Sequence, residues 1–109
     1  MSGEPRLQFI YQFRPGIDPS SRPTPGAWTP EDELIGQEHC DRLSNATEEG
    51  VVILAGRSPD GVGPAVVIFE ADSEEAARRF MEEDPFVKHG LFGAELHAFR
   101  IALMRQPGD

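Results

Sequence analysis

Leu7, Phe9, Tyr11 and Phe13 alternate with Gln8, Ile10 and Gln12. A period of two with aromatic residues on one side marks a half-buried strand, and the spacing predicts one over 7–13. Residues 14–29 follow with Pro15, Pro19, Pro23 and Pro25 among Gly, Ser and Asp, and Pro30 lies just beyond. Each proline fixes φ and removes a donor, so a long loop is expected here, carrying the sole tryptophan, Trp28. Thr29 then precedes Pro30, Glu31, Asp32 and Glu33. A capping hydroxyl, a proline in the first turn and carboxylates at the positive end of the dipole predict a helix over 30–49, stopped by Gly50. At about 100° per residue, Ile35, His39, Leu43 and Ala46 share one stripe of that helix. The stripe faces the core, and a histidine is in it.

Residues 51–55 and 65–71 are continuous β-branched and aliphatic runs separated by a Pro59-Asp60-Gly61 turn signal, which predicts a hairpin. Both runs are apolar on both faces, whereas an antiparallel sheet with one wet face alternates. A second copy of the chain is the simplest cover for the outer face, so a homodimer through that face is expected. Asp72 or Ser73 caps a second helix whose apolar stripe is Ala76, Ala77, Phe80 and Met81. Pro85 pushes Asp84 out of helical conformation, ending that helix near Glu83 and leaving only a brief turn over 86–89 before Gly90. A last strand is expected over 96–104. Two right-handed strand-helix-strand units in the order βαββαβ interleave into a four-stranded antiparallel sheet with both helices on one face. The expected fold class is therefore α+β, ferredoxin-like, in a single domain spanning 1–109 with a core over about 7–104.

Composition narrows the partners. The chain has 109 residues, of which 39% are hydrophobic, and a net charge of −9. Phosphate backbones and anionic membranes are repelled by such a chain, so no nucleic-acid or membrane partner is expected. No apolar run reaches the length of a membrane-spanning helix. Cys40 is the one cysteine; it excludes an internal disulfide and fits a reducing, cytoplasmic setting. His89 and His97 lack metal-ligand spacing with His39, and no nucleotide motif is present, so no metal or cofactor is expected.

His39 is the leading candidate for chemistry. Buried polar nitrogens need partners, at a cost of about 1 to 3 kcal/mol when left without one. Asp84 is the candidate partner, since it ends the second helix on the same side of the sheet. It also reads as the N-cap of the turn at Phe86, and the two roles are compatible: one carboxylate oxygen can cap while the other accepts an imidazole N–H. A carboxylate so placed fixes the tautomer and favours a general base near neutral pH. The alternative is a structural histidine held by a backbone carbonyl or water.

His39 with Leu43, then 49–56 (Glu-Gly-Val-Val-Ile-Leu-Ala-Gly), 71–76 (Ala-Asp-Ser-Glu-Glu-Ala), Asp84-Pro85-Phe86 and Gly90-Leu91 form an ordered set that resembles the YCII-related (YciI-like) family. The resemblance covers about 11–99. It implies a ferredoxin-like dimer, the dimeric α+β barrel, with a cleft between helices and sheet where His39 and Asp84 are the active-site pair. Members with an assigned activity resemble dehydrochlorinases and muconolactone isomerases. The chain departs from the family in its longer, proline-richer loop over 14–29 and in Arg57-Ser58 after Gly56.

Two functions are weighed. One is a cofactor-free lyase or isomerase in which His39 and Asp84 act as general acid and base on a small cyclic or aromatic metabolite, with Arg57, Tyr11 and Trp28 as substrate-binding candidates. The other is a non-catalytic small-ligand-binding or interaction module of the same dimeric fold. The simpler reading of Arg57 is a solvated charge at a hairpin mouth, and that of Trp28 a hydrophobic anchor for the first helix.

Overall fold

The computed structural model describes residues 7–15, 29–60 and 63–105. The elements are β1 (Leu7–Pro15), α1 (Pro30–Glu48), β2 (Val52–Arg57), β3 (Ala65–Ala71), α2 (Glu74–Glu82), the one-turn α3 (Pro85–Lys88) and β4 (Phe92–Phe99). The strands form an antiparallel sheet in the order β2-β3-β1-β4. This crossover of two strand-helix-strand units is the ferredoxin-like α+β arrangement.

Local chemistry starts and stops the helices where it should. Thr29 and Asp32 close a reciprocal capping box, Thr29 Oγ1 accepting from the Asp32 N–H at 3.1 Å and Asp32 Oδ2 accepting from the Thr29 N–H at 3.0 Å. Gly50 follows at φ 87°, a left-handed conformation that L side chains resist. Ser73, not Asp72, caps α2, its hydroxyl accepting from the Ala76 N–H at 3.0 Å. Asp84 caps α3.

Register fixes which residues face the helices. Phe9 sits opposite Phe69 and Tyr11 opposite Val67 on β3, and on the other side Tyr11 sits opposite Leu96 and Phe13 opposite Ala94 on β4. Phe9, Tyr11, Val67 and Phe69 are buried together with Leu43 and Ala46 of α1 and Ala77 and Met81 of α2. That is the stripe pattern of both helices meeting the alternate positions of the sheet. The alternate positions point away: Ile10, Leu54, Val66, Ile68 and Phe99 lie on the outer face, where Leu54 is 47% and Phe99 40% exposed.

Three boundaries differ from expectation. β1 continues through Arg14 and Pro15, which oppose Gly93 and Phe92, so the first two residues of the expected loop over 14–29 are strand, and 16–28 lie outside the described residues. β2 runs on to Arg57 past an irregularity between Val52 and Leu54. β4 occupies Phe92–Phe99 rather than 96–104, its pairing with β1 running from Phe92 opposite Pro15 to Phe99 opposite Gln8. Residues 101–105 have no regular structure, with Leu103 93% exposed. No helix among the described residues is long and apolar enough to cross a membrane.

Candidate active site

His39 lies midway along α1, three residues before Arg42 and four before Leu43, and its ring tilts onto α3. The imidazole stacks on Phe86 with centroids 3.9 Å apart and meets the edge of Phe13 at 5.6 Å. Phe92 closes the same aromatic wall, 4.9 Å from Phe86 and 6.0 Å from Phe13. Burial of the ring is incomplete, with 13% of its side chain exposed.

Asp84 is fully buried, and its backbone explains why it sits there. Pro85 excludes the helical conformation at the preceding residue; Asp84 takes φ −60°, ψ 128°, breaking α2 from α3 and turning its side chain inward. A buried carboxylate is tolerated only when donors surround it. Three do. His39 Nδ1 lies 2.8 Å from Oδ1, the Phe86 N–H donates to the same oxygen at 2.9 Å, and the Tyr11 hydroxyl donates to Oδ2 at 2.8 Å. Cap and imidazole thus share Oδ1, rather than dividing the two oxygens, and Tyr11 holds Oδ2. With the carboxylate ionised, Nδ1 is the protonated ring nitrogen and Nε2 carries the free lone pair.

Tyr11 enters the site in a different place from the one expected for a substrate contact. It has no exposed surface, and its hydroxyl is committed to Asp84. Burial first, then the negative charge of Asp84, holds the phenol well above its ordinary value of 10.0, with Arg42 opposing in part. Because the folded value is raised, the neutral phenol's contribution to stability is intact below pH 10 and is lost only as alkali ionises the unfolded chain above it. Tyr11 is the only tyrosine, so phenolate absorbance reads this group alone. In an alkaline titration, phenolate should emerge together with unfolding; a folded-state midpoint near 10 would contradict the buried hydrogen bond.

Arg57 stands exposed at the end of edge strand β2, with β3 between it and Tyr11. Trp28 lies outside the described residues. Arg42 was not among the candidates from sequence, yet the fold brings it here. Its guanidinium carbon lies 4.2 Å over the Phe80 ring, Nη2 donates to the Phe80 carbonyl at 3.0 Å, and Glu83 is 4.0 Å away. A three-residue offset from His39 was the available signal, since residues at i and i+3 share a helix face. Among the described residues no three His, Cys, Asp or Glu side chains gather to hold a metal. A cleft of about 540 Å³ bounded by Gln8, Glu74, Phe99 and Arg100 lies at the far end of β1 and β4 and takes no part in the pair.

The arrangement defines a class: a ferredoxin-like α+β protein with a buried carboxylate holding a partly exposed imidazole against an aromatic wall. The model of the YCII-related domain matches residues 20–97, and the chain belongs to that family. No curated protein matches it. Among solved structures, 5-chloro-2-hydroxyhydroquinone dehydrochlorinase from Burkholderia phenoliruptrix, in complex with 2,5-dihydroxybenzoquinone, is similar with a TM-score of 0.50 and 18% identity, over 84% of this chain and 93% of that one. At that identity the likeness concerns the fold.

Proposed function

We propose that the protein is a YciI-like lyase or isomerase in which His39 is the general base and Asp84 orients it. One observation carries the reading: a carboxylate with no exposed surface is bonded at 2.8 Å to the imidazole of a different helix, while that histidine side chain stays partly exposed. Nδ1 bound to Asp84 leaves Nε2 to accept a proton from a carbon or hydroxyl acid. In an elimination, the electron pair of the broken bond forms the new double bond and the leaving group departs with its own pair. In an isomerisation, the imidazolium returns the proton to another atom of the same molecule. Neither course calls for a metal or a redox cofactor.

Phe86 stacks on the imidazole and Phe13 and Phe92 pack against Phe86, so the surroundings of the base are aromatic and weakly polar. The dehydrochlorinase of the same fold acts, by its name, on a chlorinated hydroquinone, which supports small cyclic or aromatic compounds as the substrate class. The test is turnover: release of halide or isomerised product from a panel of substituted hydroquinones and unsaturated lactones, with His39→Ala as control. Tyr11 takes a positioning role in this reading. Arg57, at the exposed edge, has none.

The outer sheet face supports a homodimer as the working form. Leu54 and Phe99 expose large apolar area on a face that also carries Ile10 and Val66, and a second copy would remove that area from water. Sedimentation at micromolar concentration should give twice the chain mass. A single monomeric species would count against the dimer.

A further inference from the structure

Two strand features of this chain go unmatched among the described residues. The first is a segment. Residues 101–104 (Ile-Ala-Leu-Met) are an unbroken apolar run bracketed by Arg100 and Arg105, the composition of a strand buried on both faces. Within one chain the run is neither paired nor buried: β4 stops at Phe99, 101–105 have no regular structure, and Leu103 is 93% and Met104 61% exposed. The second is an edge. Among the described residues β2 pairs only with β3, and all of 54–57 is exposed. An open edge presents N–H and C=O groups that template another strand. The irregularity that would blunt this one lies between Val52 and Leu54, short of the exposed stretch, and Arg57 is the only charge on it.

We propose that residues 101–104 of one copy add as a strand to the β2 edge of a second copy. This rests on the reading of a homodimer through the outer sheet face and names the element that locks it.

The topology places tail and edge together. β2 and β4 are opposite edges of the order β2-β3-β1-β4. When two such sheets face each other about a two-fold axis along the strands, β4 of each copy lies over β2 of the other, so each tail starts beside the edge it extends. It also starts on the right face. The Ile101 N–H donates to Gln8 Oε1 at 2.8 Å; Gln8 alternates with the inward Phe9 and points outward, as does Phe99 opposite it. Strand addition would satisfy the tail's backbone groups and take Leu103 and Met104 out of water. Charge favours the same partner. The tail carries Arg100 and Arg105 in a chain of net charge −9, and Glu48 and Glu49, exposed just before β2, give one end of that edge the opposite sign. Because edge and tail belong to one sequence, two copies satisfy each other reciprocally and the assembly closes at two.

Leu103→Asp in the full chain is the test. Leu103 packs against almost nothing within one chain, so the protomer should keep its fold by circular dichroism. The dimer dissociation constant from sedimentation should rise by at least about tenfold, since each leucine would lose its burial against the other copy. Hydrogen exchange read by NMR gives the second readout: alternate backbone amides within 102–105 should be protected in the wild-type dimer and exchange like a free peptide in the dissociated variant. A dissociation constant that moves by less than about tenfold, or wild-type dimer amides over 102–105 that all exchange freely, overturns the strand addition and leaves the outer-face dimer standing. A wild-type chain that stays monomeric overturns both, and protected tail amides in that monomer would place the segment on its own chain.

Discussion

His39→Ala should lower turnover of any substrate the protein accepts by at least about a hundredfold, the lower range for removal of a general base. The fold should survive the change. His39 is partly exposed, its stack on Phe86 is one contact of an aromatic wall that also contains Phe13 and Phe92, and Asp84 keeps donors from Tyr11 and Phe86. The stability cost is therefore about 1.5 to 3 kcal/mol, the value of one hydrogen bond to an ionised group, less than what unfolds a small domain. Circular dichroism and a thermal melt on the same preparation separate the two effects. A decrease below about threefold in a folded variant would remove His39 from the chemistry and favour a ligand-binding module.

Asp84→Ala acts in the other direction, on stability first. The carboxylate satisfies the Tyr11 hydroxyl, the Phe86 N–H and His39 Nδ1, and its removal leaves these groups short of an acceptor in a fully buried position. At about 1 to 3 kcal/mol for each unsatisfied buried group, the expected loss is about 3 kcal/mol or more. That is a large share of the roughly 5 to 15 kcal/mol that holds a small domain folded. Urea denaturation should show a much lower midpoint. Asp84→Asn preserves the volume and an acceptor oxygen for His39 and Phe86 but sets an amide N–H against the Tyr11 hydroxyl, and should fall between wild type and alanine. An alanine variant within about 0.5 kcal/mol of wild type would mean that water replaces the carboxylate, and the site would then be far wetter than its burial indicates.

These two residues were legible in the sequence for different reasons. His39 stands out because it interrupts an apolar stripe, and Asp84 because Asp-Pro announces a helix break whose residue must cap something. What neither pattern contains is the third donor. Tyr11 is visible only as one inward aromatic among several on β1; that its hydroxyl reaches Asp84 depends on how far α2 runs before it breaks, a distance set by packing between elements 73 residues apart. Arg42 was missed because a basic residue in mid-helix ordinarily reads as solvated. Its placement over Phe80 is a contact between α1 and α2, which periodicity within one helix does not encode.

The boundaries tell a similar story. α1 was readable to within a residue because Thr29, Pro30 and Asp32 specify its first turn locally. β4 was misplaced because Gly93, Ala94 and Glu95 have weak strand character of their own, and its extent is dictated by pairing with β1.

The account turns on which imidazole nitrogen carries the proton. Nitrogen-15 NMR of the neutral His39 ring measures it directly. Hydrogen bonding to ionised Asp84 requires a protonated Nδ1 and a Nε2 with the shift of a bare, pyridine-type nitrogen. A proton on Nε2 instead would turn a bare Nδ1 toward the carboxyl group, leave the ring with no base to offer a substrate, and contradict the mechanism at its first step.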